Sequence, residues 1–153
     1  MTIDTMANSD ATLVIERRFN VPIDVVWRAF TDPEMFATWW GPKGWDVPSI
    51  TLDPVPGGVH RVEMREIDTG YRNTITGTYK TVEAPSRLVY SWRWSEGGLA
   101  GVETEVEITF TPDGSGTRMH MEHRGLGSVE WRDKHHHGWS GSLDRLAHTL
   151  DQG

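Results

Sequence analysis

Thr51 to Arg124 opens as TLDPVPGGVHRVEMRE (51–66) and closes as VETEVEITFTPDGSGTRMHMEHR (102–124), and six consecutive stretches along it alternate apolar with polar side chains. Strict alternation is the mark of a half-buried β-strand. Only one long amphipathic helix, about Val129 to Leu150, follows to cover them. Strands lie roughly 4.8 Å apart, so six or seven make a sheet about 30 Å wide, whereas a helix with its side chains is about 10 to 12 Å across. The sheet must curl around the helix, and the space between them is either packed with large side chains or left open as a pocket.

The period of two assigns strand faces. Val106, Ile108 and Phe110 share one face, opposite Glu103, Glu105 and Glu107. Leu88, Tyr90, Trp92 and Trp94 fall together, opposite Arg87, Val89, Ser91 and Arg93. Thr117, Met119, Met121 and His123 oppose Arg118, His120, Glu122 and Arg124. The inward sets expected of the two preceding strands are His60, Val62, Met64 and Tyr71, Ile75, Gly77, Tyr79. In the final helix Trp139, Leu143, Leu146 and Leu150 form one apolar stripe, which runs back to His135, His136 and Trp131. The Trp and His end of that helix is thus expected over the same sheet face.

Upstream, Thr12 to Phe19 has strand composition, and Asn20 with Pro22 stops it. Val26, Trp27 and Phe30 recur at helical spacing after Pro22, and Asp24 suits the positive end of the helix dipole. Asp32 then caps a second short helix that starts at Pro33, carries Met35, Phe36 and Trp39, and ends at Gly41-Pro42. Hairpin loops are expected at Pro54 to Gly58, Asp68 to Gly70, Ala84-Pro85, Glu96 to Gly101 and Pro112 to Gly116. The order is strand, two short helices, strands, final helix, an α+β fold.

The chain of 153 residues has the length of one domain, expected over residues 11–151, with residues 1–10 as a disordered N-terminal segment. It has no cysteine, which removes disulfides, thiol nucleophiles and thiolate metal sites, and suits the cytoplasm. Met1 to Asp10 has neither a basic start nor an apolar run, so no signal peptide is expected, and no stretch approaches the 18 apolar residues of a membrane span. A net charge of −7 disfavours nucleic acid and anionic membranes as partners. Eight Trp are the outlier, fitting either an aromatic core or an aromatic-lined pocket.

Trp39-Trp40-Gly41-Pro42, the run Ile75-Thr76-Gly77-Thr78-Tyr79 followed by Ala84-Pro85-Ser86-Arg87-Leu88-Val89-Tyr90, and Gly138-Trp139 with Leu143-Asp144-Arg145-Leu146 resemble the START-like (SRPBCC) superfamily. Within it they are similar to the subgroup named for the activator of heat-shock protein 90 ATPase homologues. The resemblance spans Leu13 to Leu150 and implies a helix-grip fold, a curved antiparallel sheet of six to seven strands around a long C-terminal helix that encloses a pocket. Members include ligand carriers, polyketide cyclase-like and aromatase-like enzymes, and domains without an established role, so the resemblance leaves the activity open. The subgroup's namesake carries a separate N-terminal chaperone-binding region for which this sequence has no room, so no direct chaperone role is expected.

His135-His136-His137 invites a metal, but successive helical residues point about 100° apart and three adjacent imidazoles cannot converge on one ion. No metal site is expected. His60, His123 and His135 are the candidates for a general base facing the cavity, against the plainer reading that each makes one hydrogen bond at the core edge. The tract from Trp39 to Trp45 reads as architecture, with a rim of the pocket mouth as its functional alternative. Asp144 and Arg145 read as a solvent-side pair holding the helix to its neighbours.

Three functions fit. The first is binding of a small hydrophobic or aromatic molecule between sheet and helix, in a pocket lined by Met64, Tyr79, Tyr90, Trp92, Met119, Met121, Trp131 and Trp139 with His135 beside them. The second is a polyketide cyclase- or dehydratase-like enzyme using one of the three histidines. The third is a stress-related, co-chaperone-like interaction module. The first is the expectation, without metal, nucleotide or covalent cofactor, and compatible with a homodimer.

Overall fold

The computed structural model describes residues 11–152, and the segment expected to be disordered, residues 1–10, lies outside them. The elements are β1 (Leu13–Phe19), α1 (Ile23–Thr31), α2 (Pro33–Trp39), β2 (Trp45–Leu52), β3 (Val59–Glu66), β4 (Arg72–Glu83), β5 (Arg87–Trp94), β6 (Thr104–Asp113), β7 (Gly116–Arg124) and α3 (Val129–Gln152). All seven strands join one antiparallel sheet in the order β1-β7-β6-β5-β4-β3-β2, curled into a half-barrel. It is the α+β, helix-grip architecture that the strand count and the single long helix imply. Among the described residues no helix is long and apolar enough to cross a membrane.

Local chemistry sets the two short helices. The Asp32 carboxylate accepts from the Glu34 N–H at 2.9 Å, satisfying one of the free donors of the first turn of α2, and Pro33 needs no donor there. The Trp39 indole N–H donates to the Ala29 carbonyl at 3.0 Å, locking α2 onto α1. Phe30 of α1 meets Phe110 of β6 with ring centres 5.2 Å apart. The covering of the sheet is therefore shared, with α1 and α2 over one part and α3 over the rest, whereas the sequence reading gave it to α3 alone.

The backbones of β4 and β5 approach closely at Gly77. A Cβ on Gly77 would lie 1.7 Å from the Ser91 carbonyl oxygen, so only glycine lets β4 close on β5 there. The register of the two strands shifts between Tyr79 and Thr81, and the Ser91 hydroxyl accepts from the Thr78 N–H at 2.9 Å. This explains one departure from the expected faces: Ser91 is buried although it faces away from Trp92. Val89 is buried too, flanked by Thr81 and Glu107 on the adjoining strands. Tyr71, expected inside, is 45% exposed, because it precedes the first residue of β4 and rests its ring against Trp45. His60, Val62, Met64, Ile75, Tyr79 and the inward sets of β6 and β7 are buried as expected. On the convex face Arg124 bonds Glu105, Glu107 and Glu122 at 2.7 to 3.1 Å, a lattice of paired charges.

Candidate functional site

Where α1 and α2 stop covering the sheet, a cavity of about 290 Å³ remains between β3, β4, β5 and the N-terminal half of α3. Five tryptophans wall it: Trp40 from the end of α2, Trp92 and Trp94 from β5, and Trp131 and Trp139 from α3. Met64 and Leu99 add apolar surface, while Asn73, Glu96 and Lys134 supply polar groups to the lining. The rings pack edge to face, Trp40 on Trp139 at 4.8 Å and Trp40 on Trp92 at 5.7 Å, the geometry their quadrupoles favour. The Glu96–Leu99 loop lies against the first turn of α3. There a Cβ on Gly98 would come within 2.3 Å of Trp131 Cζ2, so the indole lies on a bare glycine.

Two histidines hold this wall. The Trp94 indole N–H donates to Nε2 of His135 at 2.9 Å, and His135 Nδ1 lies 2.8 Å from the Trp131 carbonyl. Accepting at Nε2 and donating at Nδ1 fixes His135 as one neutral tautomer. The Trp139 indole N–H likewise donates to Nδ1 of His123 at 3.2 Å, leaving His123 Nε2–H to donate to Thr104 Oγ1 at 2.8 Å. The Thr104 hydroxyl in turn donates a hydrogen bond to the Trp92 carbonyl at 3.1 Å. Burial disfavours the charged imidazolium and holds both histidines below the usual histidine range; for His123, the nearby His135 and Arg124 add to it. Ser142 is equally committed, donating to the Gly138 carbonyl and accepting from the Gly41 N–H, both at 3.0 Å. The buried indole N–H groups of Trp40 and Trp92 have no hydrogen-bond partner among the described residues.

Of the expected lining residues, Met64, Trp92, Trp131, His135 and Trp139 surround the cavity. Tyr79, Tyr90, Met119 and Met121 do not; they are buried in the core outside it. His123 sits one layer behind the wall, and His60 is elsewhere, stacked on Tyr90 at 4.2 Å and touching Phe36 of α2. Burial lowers the His60 pKa to about 3, and its Nδ1 has no hydrogen-bond partner among the described residues. His135 turns toward the cavity while His136 and His137 are exposed, as the 100° helical step requires. Sequence reading missed Asn73, Gly138, Ser142 and the Glu96–Leu99 loop. Ser142 and Gly138 carried a signal, since they continue the helical spacing of Trp131 and His135, but a loop has no period from which a direction is read.

Arg145 anchors the other half of α3. Its Nη1 reaches the carbonyl oxygens of Gly41 at 2.8 Å and of Trp40 and Trp45 at 3.3 Å, fixing the Gly-Pro turn that carries Trp40. Asp144 pairs with Arg17 of β1 at 2.7 Å. Both do hold the helix to its neighbours, though through different partners and not to each other.

Residues 20–151, which contain every residue of this wall, match the family described as activator of Hsp90 ATPase homolog 1-like protein. The chain belongs to that family. Membership is consistent with the START-like superfamily named from the Trp-Trp-Gly-Pro and Gly-Trp motifs. Solved structures similar to this family member include the AHSA1 protein of Silicibacter pomeroyi, 30% identical with a TM-score of 0.83 over 92% of this chain and 98% of that one. A protein of Chromobacterium violaceum is 26% identical with a TM-score of 0.84, over 92% and 96%. The activator of 90 kDa heat shock protein ATPase homolog of Dictyostelium discoideum is 37% identical over 85 residues, 52% of this chain. The chain spans only about a fifth of that relative, 21% of its length.

Proposed function

We propose that the chain binds a small hydrophobic or aromatic molecule in the cavity between the sheet and the N-terminal half of α3. The observation that carries this reading is a cavity of about 290 Å³ walled by five tryptophans. That volume lies at the lower end of the roughly 300 to 1,000 Å³ usual for ligand pockets, enough for a molecule of about two fused rings. Selection would rest on ring stacking and apolar burial, because the polar groups of His135, Ser142 and Asn73 are already paired within the protein and Glu96 and Lys134 are exposed to water. The same pairing supports binding over cyclase-like proton transfer. His123 and His135 each have both ring nitrogens engaged, and a general base needs a free one. The test is titration with Prodan, a neutral naphthalene dye whose emission shifts blue in apolar surroundings. A saturable 1:1 blue shift is expected, and an emission spectrum indifferent to the protein would contradict the reading.

A further inference from the structure

Gly138 has no structural reason to be glycine. Inside a helix glycine is less favourable than alanine, and it is retained where a neighbour leaves no room for a methyl group or where φ is positive. Gly141, also in α3, comes near the first condition, since a Cβ there would lie 3.3 Å from Cβ of Pro42, a tight contact. At Gly138 nothing among the described residues, apart from the backbone of its own helix turns, lies within 4 Å of the place a Cβ would take, and its φ is not positive. What Gly138 does border is the cavity. It lies between Lys134 and His135 on one side and Ser142 on the other, a stripe at helical spacing whose members all line the void. A side chain at 138 would therefore project into the empty volume.

We infer that Gly138 is the specificity-determining position of the cavity: the missing side chain leaves bare helix backbone against which a flat ring lies face-on, so the site takes planar fused-ring molecules and rejects branched or globular ones of similar volume. The inference rests on the binding reading above and adds the shape of the ligand to it. The mechanism is steric. A flat ring reaches van der Waals distance of a helix backbone only where no side chain stands between them, and a methyl group at 138 would hold the ring away and forfeit those contacts. A rounded molecule has no such requirement, because it touches any wall at a few points.

The experiment uses the full chain with Gly138→Ala, Gly138→Leu and, as a control, Gly141→Ala. Thermal unfolding is followed alongside Prodan titration, with 1-adamantanone as a globular competitor and naphthalene as a flat one. Gly138→Ala is expected to raise Tm by about 2 to 4 °C, because helix propensity improves and nothing is displaced. It is also expected to weaken Prodan binding at least about tenfold, with Gly138→Leu abolishing it, and wild type is expected to lose Prodan to naphthalene at far lower concentration than to adamantanone. Gly141→Ala, outside the cavity lining, is expected to leave Prodan affinity within about twofold of wild type. Prodan affinity in Gly138→Ala within about twofold of wild type, equal displacement by the two competitors, or a Tm that falls in Gly138→Ala would each overturn the inference while leaving the binding reading intact. Wild type that binds no Prodan would overturn both.

Discussion

The indole N–H of Trp139 donates to Nδ1 of His123 at 3.2 Å, so the side chain of a residue in α3 depends on a neutral histidine of β7 with its Nδ1 lone pair free to accept. His123→Leu keeps an apolar group of similar bulk but leaves the Trp139 N–H buried without a partner and removes a hydrogen bond to Thr104. Unfolding by urea is expected to show a loss of roughly 1 to 3 kcal/mol. Trp139→Ala removes the ring itself from a site that is 2% exposed, and a larger loss of about 3 to 5 kcal/mol is expected.

The buried histidines give stability a definite pH dependence. His60, His123 and His135 are all held below 6.5 by burial, His60 to about 3, so below pH 6.5 these three sites bind more protons in the unfolded chain than in the folded one. Stability is therefore fully present above pH 6.5 and falls as pH drops, for His60 until about pH 3, with a limiting slope of about 1.4 kcal/mol per pH unit for each histidine. His120 acts in the opposite direction: hydrogen bonds to Glu122 and Glu16 raise its pKa, so its contribution is lost as pH rises, and its exposure keeps that contribution small. His60→Leu is expected to flatten the slope between pH 6 and 4, measured as the urea midpoint at each pH. An unchanged slope would mean that His60 is not neutral in the fold.

Arg145 and Asp144 adjoin in sequence but are expected to differ in effect. Arg145→Met removes a charged donor shared among three carbonyl oxygens, and a loss of about 1.5 to 3 kcal/mol is expected. Asp144→Asn weakens an ion pair whose carboxylate is 69% exposed, so the expected loss is about 0 to 1 kcal/mol. Urea unfolding of the two variants in one buffer compares them directly.

Gly98 is expected to control the seat of Trp131. With a Cβ contact of 2.3 Å to the indole, Gly98→Val must push the ring off the loop. In protein labelled with 5-fluorotryptophan, the Trp131 fluorine resonance is expected to move while that of Trp39, buried under α1, stays in place.

The sheet and its curl were legible from Thr51 to Arg124 because a period of two leaves little freedom in which residues face inward. Tyr71 failed for a reason of position: parity assigns a face only within a strand, and Tyr71 lies one residue before β4 begins. The candidate site was legible in part. Trp92, Trp131, His135 and Trp139 share a face that sequence spacing reveals, but Tyr79, Tyr90, Met119 and Met121 share the concave face too. What divides cavity wall from core is which part of the sheet α1 and α2 cover, a matter of tertiary packing and not of period. The tautomers of His123 and His135 were out of reach for the same reason, being set by partners 16 and 41 residues away in the chain.

The most direct test is a two-dimensional amide spectrum of the labelled chain recorded with and without a saturating neutral naphthalene. The expected result is a set of shifts concentrated at Trp94, Gly98, Leu99, Trp131, His135 and Gly138, with Tyr79, Tyr90, Met119 and Met121 little moved. An unchanged spectrum, or shifts gathered on the convex face around Arg124, would contradict the account.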